Sequence, residues 1–169
     1  MTEPLDPTWG PLVIGLGSPD RGDDGIGPAV AEHVERLGLP GVRVAVHEDP
    51  TALIHLWAEA ERVIIVDAVV SGAEPGSVTV KEVGTRDEAL PSSTWAETGR
   101  GGTHAFGLAT AVELARAIGR LPRRVTLVGI EGASFDYGAG LTPMVEAAIP
   151  EAVVAIRGIL DGALKGSVS

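Results

Sequence analysis

Residues 62–66, Arg-Val-Ile-Ile-Val, constrain the fold more than any other stretch. A continuous β-branched run leaves no polar face for water, so it belongs to a strand covered on both sides. Such strands occur in parallel sheets with helices above and below, and the rest of the chain supplies matching elements. Leu12–Leu16 and Val125–Ile130 read as further buried strands, and Val42–Val46 as a short one. Gly76–Val83 alternates Val78, Val80 and Val83 with polar positions, which suits a sheet edge. Helical spacing appears at Ile26, Val30, Val34 and Leu37, over Thr51–Glu61, and over Ala105–Ile118 with Thr103 as its N-cap. Thr142 and Pro143 open a final helix that Pro150 breaks or restarts. The expectation is an α/β three-layer sandwich, with a mostly parallel twisted sheet of about five strands and helices on both faces. Residues 1–169 are read as a single domain, with a loosely ordered N-terminus at 1–10 and a recognition loop at 84–104, where no periodic pattern appears.

Composition narrows the function classes. The chain has no cysteine, which excludes a cysteine nucleophile, a thiolate metal site and disulfides. A net charge of -10 argues against nucleic acid and anionic membranes as partners and favours a basic protein or peptide. No basic segment followed by an apolar stretch opens the chain, and no apolar run approaches the ~18 residues of a membrane span. A cytoplasmic protein is expected.

The first strand runs into Gly-Ser-Pro-Asp-Arg-Gly-Asp-Asp-Gly-Ile-Gly, residues 17–27. Asp23 and Asp24 at a helix head read most simply as a capping pair. The surrounding glycines, Gly15, Gly17, Gly22, Gly25 and Gly27, thin the backbone and let a partner approach. The pattern is not a dinucleotide fingerprint, because Asp20 stands where the third glycine belongs and the acidic pair occupies the phosphate position. An acidic turn in a strand-turn-helix crevice suits a cation better.

Right-handed crossovers place strand C-terminal ends along one edge, where open α/β sheets form their sites. Asp24 then follows the first strand, Glu48 and Asp49 the second, Asp67 ends the third and Glu131 the last, while His104 arrives from a helix start. Asp67 alone reads as a turn cap and His104 alone as a solvated histidine. Together, two carboxylates and an imidazole form a donor set able to hold a divalent metal with open positions. His47, Glu48 and Asp49 are given supporting roles at most, and His33 and His55 lie within helices. Known hydrolase signatures are missing: there is no G-x-S-x-G, and His47-Glu48-Asp49-Pro50-Thr51 lacks a second histidine and carries a helix-breaking proline.

GLGSPDRGDDGIG, VIIVDAVVSG followed by PGSV, GGTHAFGLATAVELA, VTLVGIEG and GLTP, in this order and spacing, resemble the nickel-iron hydrogenase maturation endopeptidases. The match runs from about Leu12 to the final helix. The resemblance implies an endopeptidase that removes a C-terminal extension from a hydrogenase large-subunit precursor after nickel insertion. It implies metal contacts, and a catalytic role, at Asp24, Asp67 and His104, with the nickel supplied by the precursor and another divalent metal as the alternative in isolated protein. The chain departs from the family pattern at Ser18, where asparagine is frequent, and at Glu48-Asp49-Pro50-Thr51, where a D-G-G-T-like turn is frequent. Two alternatives stay open. One is a non-catalytic adaptor that senses a metal-loaded partner. The other is a peptidyl-tRNA hydrolase-like esterase, which Leu12–Pro19 resembles locally but the acidic turn and net charge disfavour.

Overall fold

The computed structural model describes residues 10–83 and 107–166. Five strands form one sheet: β1 (Leu12–Leu16), β2 (Arg43–His47), β3 (Arg62–Val69), β4 (Val78–Val83) and β5 (Arg124–Glu131), in the order β2-β1-β3-β5-β4. Only β4 runs antiparallel, at the edge anticipated for it. The helices are α1 (Ile26–Arg36), α2 (Leu53–Leu56), α3 (Gly107–Ala117), α4 (Pro143–Glu146) and α5 (Ile149–Gly166).

The two-period of the strands sorts their side chains into two cores. Leu12, Ile14, Val63, Ile65, Val125 and Leu127 face α2 and α3, packing with Leu53, Trp57, Leu108 and Val112. Val13, Ile64, Val66, Val128 and Ile130 face α1 and α5, packing with Ile26, Val30, Ala152 and Ile156. Every residue of β3 from Val63 onward is buried, as a strand covered on both faces requires.

Two boundaries differ from expectation. β3 does not end at Asp67: Ala68 and Val69 continue the ladder against Ile130 and Glu131, so Asp67 lies inside the strand. The helix expected over Thr51–Glu61 is the single α-turn of α2, preceded by a 3-10 turn at Pro50–Ala52. The chain leaves helical geometry at Trp57, whose indole is drawn into the core at 1 % exposure. The last helix restarts at Pro150 as expected: α4 and α5 are separate, and Pro150, which has no N–H to carry hydrogen bonding through from α4, sits in the first turn of α5. Residues 1–9 and the 84–104 loop, with Thr103 and His104, lie outside the described residues.

Candidate active site

Two glycines set how closely α1 lies on the sheet. A Cβ at Gly15 would stand 2.4 Å from the Gly27 carbonyl oxygen, and one at Gly27 would stand 2.3 Å from the Leu16 oxygen and 2.5 Å from the Val66 oxygen. Only hydrogen fits at either position, so the start of α1 rests directly on the ends of β1 and β3. The 3-10 turn Gly22–Gly25, just before α1, is thereby carried over the crevice between these strands. The crevice is a topological switch point: β1 connects outward to β2 on one side, while β3 begins the other half of the sheet.

Asp24 enters the crevice from the turn and Asp67 from β3, next to Val66. Both are 1 % exposed. Asp24 Oδ2 accepts a hydrogen bond from the Ser18 amide at 2.8 Å. Gly17 makes room for this arrangement, with φ at 136° and space for no Cβ, which would meet the Asp24 carbonyl oxygen at 2.0 Å. Asp67 differs from Asp24 in its surroundings. Burial, and after it the charge of Asp24, push its carboxyl well above the ordinary aspartate range, partly opposed by the Ala68 amide. Its Oδ2 is buried and accepts no hydrogen bond from the described residues. A buried carboxylate oxygen without a donor, facing a second carboxylate, is stabilised by a proton or by a cation.

Asp23 plays a different part: the N-cap position of α1 is Gly25, which has no side chain to cap it, and Asp23 lies in the preceding 3-10 turn. Asp23 reaches across the molecule instead. Its Oδ2 accepts from the amides of Ala133 (2.7 Å) and Ser134 (3.0 Å), and its Oδ1 from the amide of Thr142 (2.7 Å). The Thr142 hydroxyl lies 3.0 and 2.9 Å from the two oxygens. Asp23 therefore clamps the acidic turn to the segment between β5 and α4. No local sequence signal could reveal these partners, which lie 110 to 119 positions away. Arg21 covers the turn, 2 % exposed, with its guanidinium 4.9 Å above the Tyr137 ring.

The other acidic candidates do not join the crevice pair. Glu131 accepts from the Ser71 amide and hydroxyl, fastening the loop after β3. Asp49 caps the 3-10 turn through the Thr51 amide at 2.9 Å, and its own amide donates to His47 Nδ1 at 3.0 Å. His33, His47, Glu48 and His55 are exposed. Among the described residues no group of three or more histidine, aspartate and glutamate side chains is placed to hold a metal. The structure brings together two of the three site residues named from sequence, Asp24 and Asp67; His104 lies outside its described part.

A model of the hydrogenase maturation protease family matches residues 48–159 of the chain. The chain belongs to the hydrogenase maturation protease family. The hydrogenase 2 maturation protease of Escherichia coli K12 is 33 % identical over 146 residues, covering 84 % of this chain and 85 % of the relative. The hydrogenase expression/formation protein HupD of Bradyrhizobium diazoefficiens is 32 % identical over 139 residues, covering 79 % and 69 %. Among solved structures, an endopeptidase from Escherichia coli superposes with a TM-score of 0.76 at 30 % identity, covering 92 % of this chain and 94 % of that one. The hydrogenase maturating endopeptidase HybD from E. coli gives 0.73 at 28 % identity, with the same coverage. A hydrogenase maturation protease is a peptidase, so the carboxylate crevice lies in a hydrolase that acts in hydrogenase maturation. Among the described residues no helix is long and apolar enough to cross a membrane.

Proposed function

We propose that this protease removes the C-terminal extension of a nickel-loaded hydrogenase large-subunit precursor in the cytoplasm, and that Asp24 and Asp67, joined by His104, engage the nickel that the precursor carries. The observation supporting this reading is the Asp67 Oδ2 atom, buried beside a second carboxylate without a donor among the described residues. Two like charges held together in a desolvated crevice disfavour the empty ionised state, and a divalent cation offsets that repulsion. The nickel belongs to the substrate. A precursor bearing it is bound by the carboxylate pair, and a precursor without it is not, which makes cleavage wait for metal insertion.

The chain's own residues supply position and charge. The Ser18 amide fixes one oxygen of Asp24, and β3 fixes Asp67 through its pairing with Gly129 of β5, one residue past the last pair with β1. With the cargo metal seated, its Lewis acidity polarises the scissile carbonyl or the attacking water. Hydrolysis adds that water across the peptide bond, leaving a new carboxyl on the mature subunit and an amine on the released extension.

Intact-mass measurement of the precursor tests this, with nickel-loaded and nickel-free forms incubated in parallel. Loss of the extension from the loaded form alone is expected. An unchanged mass in both would overturn the reading and favour an adaptor that holds the loaded partner without cutting it. Asp67→Asn and His104→Ala are each expected to abolish trimming while retaining the native circular dichroism spectrum. Normal trimming by both variants would remove these residues from the site.

A further inference from the structure

β2 closes one side of the sheet, and its hydrogen bonds to β1 show which backbone groups stay free. The Arg43 amide donates to Pro11, and the His47 carbonyl accepts from Gly17, so residues 43, 45 and 47 turn their backbone groups inward. In a parallel strand the N–H and C=O of one residue point the same way, and those of its neighbours point oppositely. The N–H and C=O of Val44 and Val46 therefore point away from the sheet, and among the described residues no hydrogen bond to them is formed. Val46 is also 51 % exposed.

We propose that β2 receives an extended segment of the precursor polypeptide as a sixth strand, paired to the Val44 and Val46 backbone groups. The inference rests on the precursor being the substrate and deepens that reading by naming where its chain is held. Strand addition to a free sheet edge is a recurring way of holding an extended peptide. The edge also leads to the carboxylates: the His47 carbonyl that ends β2 holds the Gly17 amide at 3.0 Å, and Gly17 packs against Asp24. An added strand would lie three strand spacings, roughly 14 Å, from β3, a span that about four extended residues cover. Beyond β2, the exposed Glu48 and Asp49, in a chain of net charge -10, favour a segment that carries a basic side chain there. The opposite edge is less open to such pairing, because β4 places Lys81 and Glu82 along its length.

The test compares trimming kinetics of wild-type protein, Val46→Pro and Val46→Thr on the nickel-loaded precursor. Proline removes an outward N–H and leaves the bonds to β1 in place, as an edge strand tolerates. An increase in KM of about five- to tenfold with kcat little changed is expected for Val46→Pro. Val46→Thr, which keeps the N–H, should behave as wild type. Amide exchange of the wild-type protein with excess precursor provides a readout free of folding defects: slowed exchange at Val44 and Val46 is expected. A folded Val46→Pro variant with wild-type KM, or unprotected Val44 and Val46 amides, would overturn the inference. So would concentration-dependent dimerisation that Val46→Pro abolishes without changing KM, since the edge would then belong to a second copy. If wild-type protein fails to trim at all, the proposed function falls first, which separates the two failures.

Discussion

Asp23 accepts from the Ala133, Ser134 and Thr142 amides of the segment between β5 and α4, whereas Asp67 Oδ2 accepts from none of the described residues. The two carboxyl groups should therefore respond oppositely to neutralisation. Removing Asp23 strands the amides of Ala133, Ser134 and Thr142, so Asp23→Ala is expected to destabilise the fold by about 3 kcal/mol, measured as a lowered urea midpoint. Asp67→Asn should leave stability at pH 7 equal or higher while abolishing trimming, because it removes a charge held against its surroundings. The pH dependence follows from the direction of the shift. The folded state holds the Asp67 proton more tightly than the unfolded chain, whose value lies near 3.8, so it carries more bound protons between the two values. This contribution to stability is complete below the unfolded value and is lost as pH rises through the folded one. The stability gap of Asp67→Asn over wild type should widen across that window, and urea midpoints from acidic to neutral pH would show it. A constant gap would mean that Asp67 titrates alike in both states.

At the scale of elements, the approach of α1 to the sheet is the sensitive parameter. Gly27→Ala introduces a methyl 2.3 Å from one backbone oxygen and 2.5 Å from another, and neither can move without breaking the β1 or β3 ladder. The expected result is a loss of about 2–3 kcal/mol and a large fall in kcat, although residue 27 touches no reacting group. Thermal unfolding beside trimming kinetics would check it. The elements themselves were largely legible in sequence. Continuous apolar runs gave the central strands, and 3.6-residue spacing gave α1, because both report burial directly. The end of β3 was not legible, since Asp67 looks like a strand terminus until Ala68 and Val69 are seen pairing with β5. The shortness of α2 escaped for a related reason: the burial of Trp57 is a tertiary effect that local spacing does not encode.

For the molecule as a whole, a net charge of -10 implies self-repulsion that salt relieves. Raising ionic strength from low to physiological should lift Tm by about 2–4 °C, the shift that ~1 kcal/mol produces in a chain of this size. No change would show that the charges are already spread too thinly to interact. The meeting of Asp24 and Asp67 was inferable from topology alone, because parallel strands place their C-terminal ends together. The division of labour between Asp23 and Asp24 was not. It depends on which residue of the acidic turn faces Thr142 and which faces β3.

The clamp at Asp23 also sets an order of assembly. The turn that carries Asp24 leaves the ribosome well before the groups that hold it, because Ala133, Ser134 and Thr142 follow Asp23 by 110 to 119 positions. A closure spanning that much of the polypeptide forms late in folding. A nascent chain that has not yet reached Thr142 consequently lacks a set crevice, so proteolytic competence is withheld until residues 133–142 have been made.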